Sequence, residues 1–398
     1  MKKTPFLVVI ACSLLYTQGL LSQGPNSELD QFLLRKMKKT DRIGMQAAYI
    51  AEGELRWTGA YGEKTYRSGE AINDSTLFMV ASISKPVTAL AMMKLYDEGR
   101  VDLDENINAY LPFEVHHPGY RDSAITVRML LAHVSSIRDH WPVLEIGYTI
   151  DRGGDSPITL EEHLKSYLVP GGKYYDPEQN FYDALPATAY RYSNVGYALL
   201  GYLVECISGR PFNEYMAEAI FRPLGMHNTY WFLSEIPHRN LASPHNMPHK
   251  ETDFKGTQVL NHFGYPGYPS GQLRTCVSDY AQVIKLFLNE GMVDGKPFMR
   301  QETMDEFLRV QFPGVDKWQA ISWSYNEFEN PLYYMIIPRY PSHTGLDPGM
   351  STVVSFDPET KTGVLVFSNS PTTTFRTEKI IYLDMVRRLF REAGKDQK

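Results

Sequence analysis

Strand-forming sequence lies at the two ends of this 398-residue chain, and helix-forming sequence fills most of the middle. Alternating apolar residues at 46–51 and 54–61, with Glu52-Gly53 between them, predict a hairpin. Strand signals then stop until 320–328, 332–338, 350–356 and 363–369. Between the two groups, apolar periodicity predicts helices at 83–98, 126–134, 159–168, 194–208, 212–221 and 277–290, joined by long loops. Two more helices are expected at 26–39 and 377–392. A sheet built from such a chain must draw strands from both ends, with a helical subdomain inserted between them. The expected fold class is therefore α/β of the α+β type. A single domain over 23–398 is expected, its sheet subdomain about 40–82 plus 318–398 and its helical subdomain about 83–317.

One junction carries chemistry. The apolar run Thr76 to Ala81 hands over to a helix whose apolar residues Val87, Leu90, Met93 and Leu95 recur at helical spacing. Ser82 thus falls at a helix N-terminus, where unpaired backbone N–H groups favour developing negative charge. Lys85 lies one turn on along the same face, so its amine can reach the Ser82 hydroxyl. Ser84 cannot play that part, because Lys85 is its neighbour at i+1 and points about 100° away. A serine that attacks a carbonyl needs a base for its proton and donors for the oxyanion.

Ser82-Ile83-Ser84-Lys85 is followed in order by Tyr192-Ser193-Asn194 and His343-Thr344-Gly345. Met129-Leu130-Leu131-Ala132-His133-Val134-Ser135-Ser136 precedes the second motif, with Ser136 at a position where glycine is usual. Together with residues 192–231 and 343–369, these motifs resemble the class C β-lactamase and penicillin-binding-protein family over roughly residues 40–395. The resemblance implies the serine β-lactamase/DD-peptidase fold, an antiparallel sheet flanked by helices. It implies a serine hydrolase working through an acyl-enzyme on a small-molecule or peptide substrate, with no metal and no cofactor. By the same resemblance Ser82 is the nucleophile, Lys85 its partner and Tyr192 the general base that later activates water. Asn194, His343, Thr344 and Gly345 would bind substrate, and the backbone N–H groups of Ser82 and Leu346 would form the oxyanion hole. A tyrosine that is ionised near neutrality needs its pKa lowered by roughly 3 units. A nearby Lys85 ammonium is expected to supply much of that.

The third motif departs from the family, which places lysine where this chain has His343. Histidine is mostly neutral at pH 7 unless a neighbour raises its pKa. The expected substrates are accordingly amides or peptides with a D-residue, or small esters. A β-lactamase, a non-turnover penicillin-binding sensor and an acyltransferase stay open as alternatives. Lys361-Thr362-Gly363 matches the family letters but reads as a polar hairpin tip between two apolar strands.

Lys2 and Lys3, the apolar run Phe6 to Tyr16, and Ser22-Gln23 predict a signal peptide over 1–22 and an exported protein. Val9-Ile10-Ala11-Cys12 offers the alternative of a lipoprotein anchored through Cys12, which would be the chain's route to a membrane. Cys206 and Cys276 read as unpaired, largely buried thiols. A net charge of −6 with no basic run gives no footprint for nucleic acid. His116-His117, His245 and His249 read as loop histidines, and 139–190 as an aromatic-rich loop region that is either self-packed or a wall of the cleft. Sequence leaves the oligomeric state open.

Overall fold

Gly44–Ala51 (β1) is buried at every position, because both faces of this strand are covered. The computed structural model describes residues 27–247, 256–328, 334, 338–371 and 375–397. In it β1 joins β2 (Glu54–Gly62), β3 (Ser342–Asp347), β4 (Met350–Asp357) and β5 (Thr362–Ser368) in one five-stranded sheet, ordered β2-β1-β5-β4-β3. All four pairings are antiparallel. Met45 lies opposite Ser368 and Tyr49 opposite Val364, which closes the N-terminal hairpin onto the C-terminal strands.

The period of two sorts these strands into two cores. Met45, Ala47, Tyr49, Val364 and Val366 pack on Leu29 and Leu33 of α1 (Glu28–Lys39) and on Met385, Val386 and Leu389 of α7 (Phe375–Ala393). Ala48, Ile50, Phe356, Leu365 and Phe367 point the other way, into the larger core. That core is completed by α2 (Ser84–Asp97), α3 (Val127–Leu131), α4 (Leu160–Leu168), α5 (Asn194–Ser208) and α6 (Val277–Leu288). Residues Val195 to Val204 of α5 are all buried, as expected of a helix surrounded by other elements. Gly201 on α5 lets Pro269 approach, since a Cβ there would lie 2.4 Å from the proline Cγ. This close packing brings the 268–270 turn toward α2, where Thr88 Oγ1 donates to Pro269 O at 2.6 Å.

The helices expected at 26–39, 83–98, 126–134, 159–168, 194–208, 277–290 and 377–392 correspond to α1 to α7 within a few residues at each end. The one expected at 212–221 starts as an α-helix, Phe212–Tyr215, and widens to a π-helix over Met216–Phe221. The strand expected at 320–328 is not one. Its apolar residues are buried, yet the backbone turns at Ser322 (φ +63°) and sends Ile321 N–H to Phe307 O and Ser322 N–H to Leu131 O. Trp323 thereby becomes a plug against Phe287 and Phe356. Most of the expected strand 332–338 lies outside the described residues, as do the signal segment, Cys12 and His249. β3, which carries the third motif, has no strand signal of its own in the sequence. Cys276 is buried, Cys206 half-buried, and neither is in a disulfide.

Candidate active site

The turn Ala81–Ile83 leads directly into α2 and holds Ser82 half-buried at the helix start. Ala81 has φ +52°, a left-handed conformation that costs a non-glycine residue about 1–2 kcal/mol. The surroundings enforce it. Val80 N–H donates to Leu273 O at 2.8 Å, and Thr352 Oγ1 donates to Val80 O at 2.8 Å. Tyr280 donates its hydroxyl to Ile83 O at 2.7 Å. Ser84 is buried, donating to Ala81 O at 2.6 Å and accepting from Leu273 N–H at 3.1 Å, so its hydroxyl belongs to the turn.

Lys85 is fully buried, and its Nζ faces three acceptors: Ser82 Oγ at 3.1 Å, Asn194 Oδ1 at 2.7 Å and Ser270 O at 2.7 Å. Burial pulls the amine down to about 7, against the opposing charges of Asp139, Asp347 and Glu327. Asn194 begins α5, and Asp139 orients it. The carboxylate accepts from Asn194 Nδ2 at 2.7 Å, from Asn194 N–H at 2.9 Å and from Val195 N–H at 3.1 Å. An anion at a helix N-terminus is favoured there, and it also forces the Asn194 carbonyl to face Lys85. Asp139 lies 55 residues from Asn194, and no local pattern in the sequence links the two.

Tyr192 stands beside this pair with its ring 4.8 Å from Lys85 Nζ. It stacks on His133, with centroids 4.3 Å apart, and meets His343 edge-on at 6.4 Å. The depressed pKa expected of Tyr192 is not what its surroundings give. Burial raises it well above 10, outweighing a downward pull from the Ser82 hydroxyl, and the charges of Glu327 and the neighbouring tyrosines push the same way as burial. His133 Nδ1 accepts from Ser193 N–H at 3.1 Å, and burial with nearby Lys85 and His343 holds the ring well below its usual pKa. It is a neutral, fixed floor for Tyr192. Ser136, where glycine is usual, takes φ +63°, the left-handed region that explains that usage.

β3 forms the opposite wall. A Cβ on Gly345 would lie 2.2 Å from Thr352 Oγ1 and 2.5 Å from Val80 O, so glycine is what lets β3 lie against the Ser82 turn. Glu327, which sequence reading missed, accepts from Thr344 N–H at 2.7 Å and Thr344 Oγ1 at 2.6 Å. Buried His343 pairs Nδ1 with Thr344 O at 2.7 Å. Burial, with Lys85 adding to it, takes His343 down to about 3 despite that hydrogen bond, so it is neutral across the physiological range. Leu346 is exposed, and a cavity of about 550 Å³ opens beside it. Of the aromatic-rich region, Trp141 and Tyr148 line this cavity, whereas Tyr167 is buried core. Lys361 is exposed with φ +51° in the β4–β5 turn, where its carbonyl accepts from Gly53 N–H at 2.9 Å. It takes no part in the cleft.

His117 and His245 spend ring nitrogens on the carbonyls of Tyr182 and Asn369, each at 2.8 Å. Among the described residues no cluster suited to a metal ion occurs, and no helix is long and apolar enough to cross a membrane.

The Beta-lactamase family profile matches residues 29–386. The chain belongs to the β-lactamase family. This is a family of serine hydrolases that also takes in penicillin-binding proteins. A penicillin-binding protein of Bacillus subtilis is 26% identical over 179 residues, which are 44% of this chain and 35% of that protein. The chain thus spans about a third of that relative's length. The octameric penicillin-binding protein homologue from Pyrococcus abyssi has the same fold, with TM-score 0.69 and 23% identity over 92% of this chain and 80% of that one. EstCE1, described as a hydrolase with promiscuous acyltransferase activity, gives TM-score 0.67 at 18% identity, covering 91% of this chain and all 100% of its own. The antiparallel sheet flanked by helices is the family's serine β-lactamase/DD-peptidase fold.

Proposed function

We propose that this protein is an exported serine hydrolase that forms an acyl-enzyme on Ser82 and cleaves amides, D-residue peptides or small esters. The observation that carries this reading is the 3.1 Å contact between Ser82 Oγ and a buried Lys85 amine drawn down to about 7. A lysine near neutrality is a competent general base, as an ordinary one is not. In the proposed first step neutral Lys85 takes the Ser82 proton while Oγ bonds to the substrate carbonyl carbon. The negative charge on the carbonyl oxygen is held by the N–H groups of Ser82 and Leu346. Tyr192, which keeps its own proton in the free protein, passes a proton to the leaving group and is replenished from Lys85. The bond to the leaving group breaks, and an ester on Ser82 remains. Water then attacks that ester, its proton goes to Lys85, and Oγ recovers a proton as the acid departs. Asn194, fixed by Asp139, holds the substrate's carbonyl side with its exposed edge, while Thr344 and Gly345 align the scissile bond along β3.

Penicillin as the natural substrate is the less favoured reading, because His343 supplies no cation for the β-lactam carboxylate. Export is supported by Lys2, Lys3 and the apolar run Phe6 to Tyr16, with anchoring through Cys12 as the alternative. A hydrolysis panel of nitrocefin, p-nitrophenyl esters, D-amino-acid amides and D-Ala-D-Ala peptides tests the reading. Turnover of esters or amides with nitrocefin slower is expected. A long-lived adduct on Ser82 with no product from any of them would instead make the protein a binder.

A further inference from the structure

The cavity beside β3 draws its charge from carboxylates. Glu145 and Asp347 line it together with Trp141, Tyr148 and Leu346, and no lysine, arginine or histidine does so among the described residues. Asp347 directly follows Leu346, the proposed oxyanion donor, and ends β3. Two phenols clamp it. Tyr265 donates to Oδ2 at 3.2 Å and Tyr148 to Oδ1 at 3.3 Å, and the two rings stack 4.5 Å apart. Both phenols stay protonated, since burial and the Asp347 charge raise them well above 10. Gly271 leaves room for the clamp, because a Cβ there would lie 2.2 Å from the Tyr265 hydroxyl and 3.3 Å from Asp347 Oδ2. No cation among the described residues pairs with Asp347. Burial pushes its carboxyl up to about 7 although Tyr265, Lys85, Tyr148 and Arg274 pull the other way.

The wider balance has the same sign. Asp139, Asp347 and Glu327 all act on Lys85, and Asp347, Asp139 and Glu145 all act on Tyr148. Set against these carboxylates, of which Asp347 is itself held near 7, are one amine also near 7, the buried Arg274 guanidinium at about 10, and a neutral His343. An incoming carboxylate therefore meets like charge, and an incoming ammonium is attracted. Trp141, 45% exposed at the mouth, and Tyr148 offer aromatic faces of the kind that hold cations.

We propose that the Asp347 clamp is the specificity element of this site and receives a protonated amine of the substrate. The substrate class is then an amino-acid amide or ester with a free ammonium group near the scissile carbonyl. This rests on the hydrolase reading above. The ammonium donates to the Asp347 oxygens from the cavity side, while Tyr148 and Tyr265 keep the carboxylate from turning away.

The test is kcat/KM at pH 7 for D-alanine 4-nitroanilide, its N-acetyl form and its N-succinyl form, with p-nitrophenyl acetate and fluorophosphonate labelling run beside them. The free amine is expected to exceed the acetyl form by tenfold or more, and the succinyl form to be poorest. In Asp347→Asn the amine-to-acetyl ratio should fall at least tenfold, chiefly through KM. Independently of any variant, phenethylammonium should inhibit wild-type p-nitrophenyl acetate hydrolysis at least tenfold more strongly than phenylacetate. Turnover with a flat or inverted order, or an unchanged ratio in Asp347→Asn, overturns the clamp assignment and leaves the hydrolase standing. No turnover of the ester and no labelling of Ser82 removes the hydrolase reading, and this inference with it.

Discussion

Gly345→Ala should separate the position of β3 from its chemistry. The new methyl would sit 2.2 Å from Thr352 Oγ1, 2.5 Å from Val80 O and 3.2 Å from Ala81 Cβ. The threonine hydroxyl can rotate, at the cost of its 2.8 Å bond to Val80 O. The carbonyl cannot, because it belongs to the turn that holds Ser82. Ordinary contact begins at 3.4 Å, so β3 must withdraw by 0.9 Å from the Ser82 turn. Displacing a catalytic wall by about 1 Å costs on the order of 10²-fold in rate. Overpacking at such a site costs about 1–3 kcal/mol in stability. The expected result is a kcat/KM for p-nitrophenyl acetate lower by about 10²-fold, with a lower denaturation midpoint in urea. Adding Thr352→Ala should recover little of the rate, since the Val80 contact persists. Gly209→Ala is the control: φ is +73° but nothing lies within 4 Å of its Cβ. It should lose about 1 kcal/mol in stability and keep kcat/KM within twofold. If Gly345→Ala retained wild-type kcat/KM while folding normally, β3 would not be the wall on which the mechanism depends.

Lys85 acts as base only when neutral, and its pKa is lowered from 10.5 to about 7, so kcat/KM for a neutral ester should rise with pH through about 7. A limb near 10, or a rate falling across neutrality, would contradict this. His343, at about 3, should set no limb between pH 5 and 8, and His343→Gln should change the height of the profile but not its midpoint. His343→Ala should cost more than tenfold in turnover by removing the ring packed against Tyr192, whereas Lys361→Ala on its exposed turn should cost less than twofold. Asp139→Asn replaces an acceptor of Asn194 Nδ2 by a group that can be turned to donate, so activity should fall at least tenfold and stability by about 0.5–2 kcal/mol; unchanged steady-state kinetics would show that Asn194 needs no such hold.

The residues that sequence located are those whose relation is local or carried by short motifs. Ser82 and Lys85 are one helical turn apart, and Asn194 opens α5 two residues after Tyr192. Asp139, Glu327 and Asp347 escaped notice because each acts through space on a distant partner, and a lone acidic residue in a loop has no pattern. The pKa of Tyr192 was misjudged for a related reason, whereas His343 is neutral as expected. Desolvation depends on everything packed around a group, and at Tyr192 it raises the pKa that a neighbouring charge was expected to lower. β2 was legible from alternation, since much of it is half-buried or exposed, and the closing strands from apolar runs, since both of their faces meet apolar elements. The segment 320–328 was misread because its buried apolar residues hang from a bent backbone, and β3 was passed over because Ser342–Asp347 is a strand through its pairing with β4.

The central claim is that Ser82 is the acylated nucleophile with Lys85 as its base. Intact-protein mass spectrometry after brief exposure to a fluorophosphonate tests it most directly, with the modified peptide sequenced. One adduct per chain, located on Ser82, lost in Ser82→Ala and strongly slowed in Lys85→Met, is the predicted result. An adduct that persists in Ser82→Ala, or that maps to Ser84 or any other residue in the wild-type protein, would contradict the account.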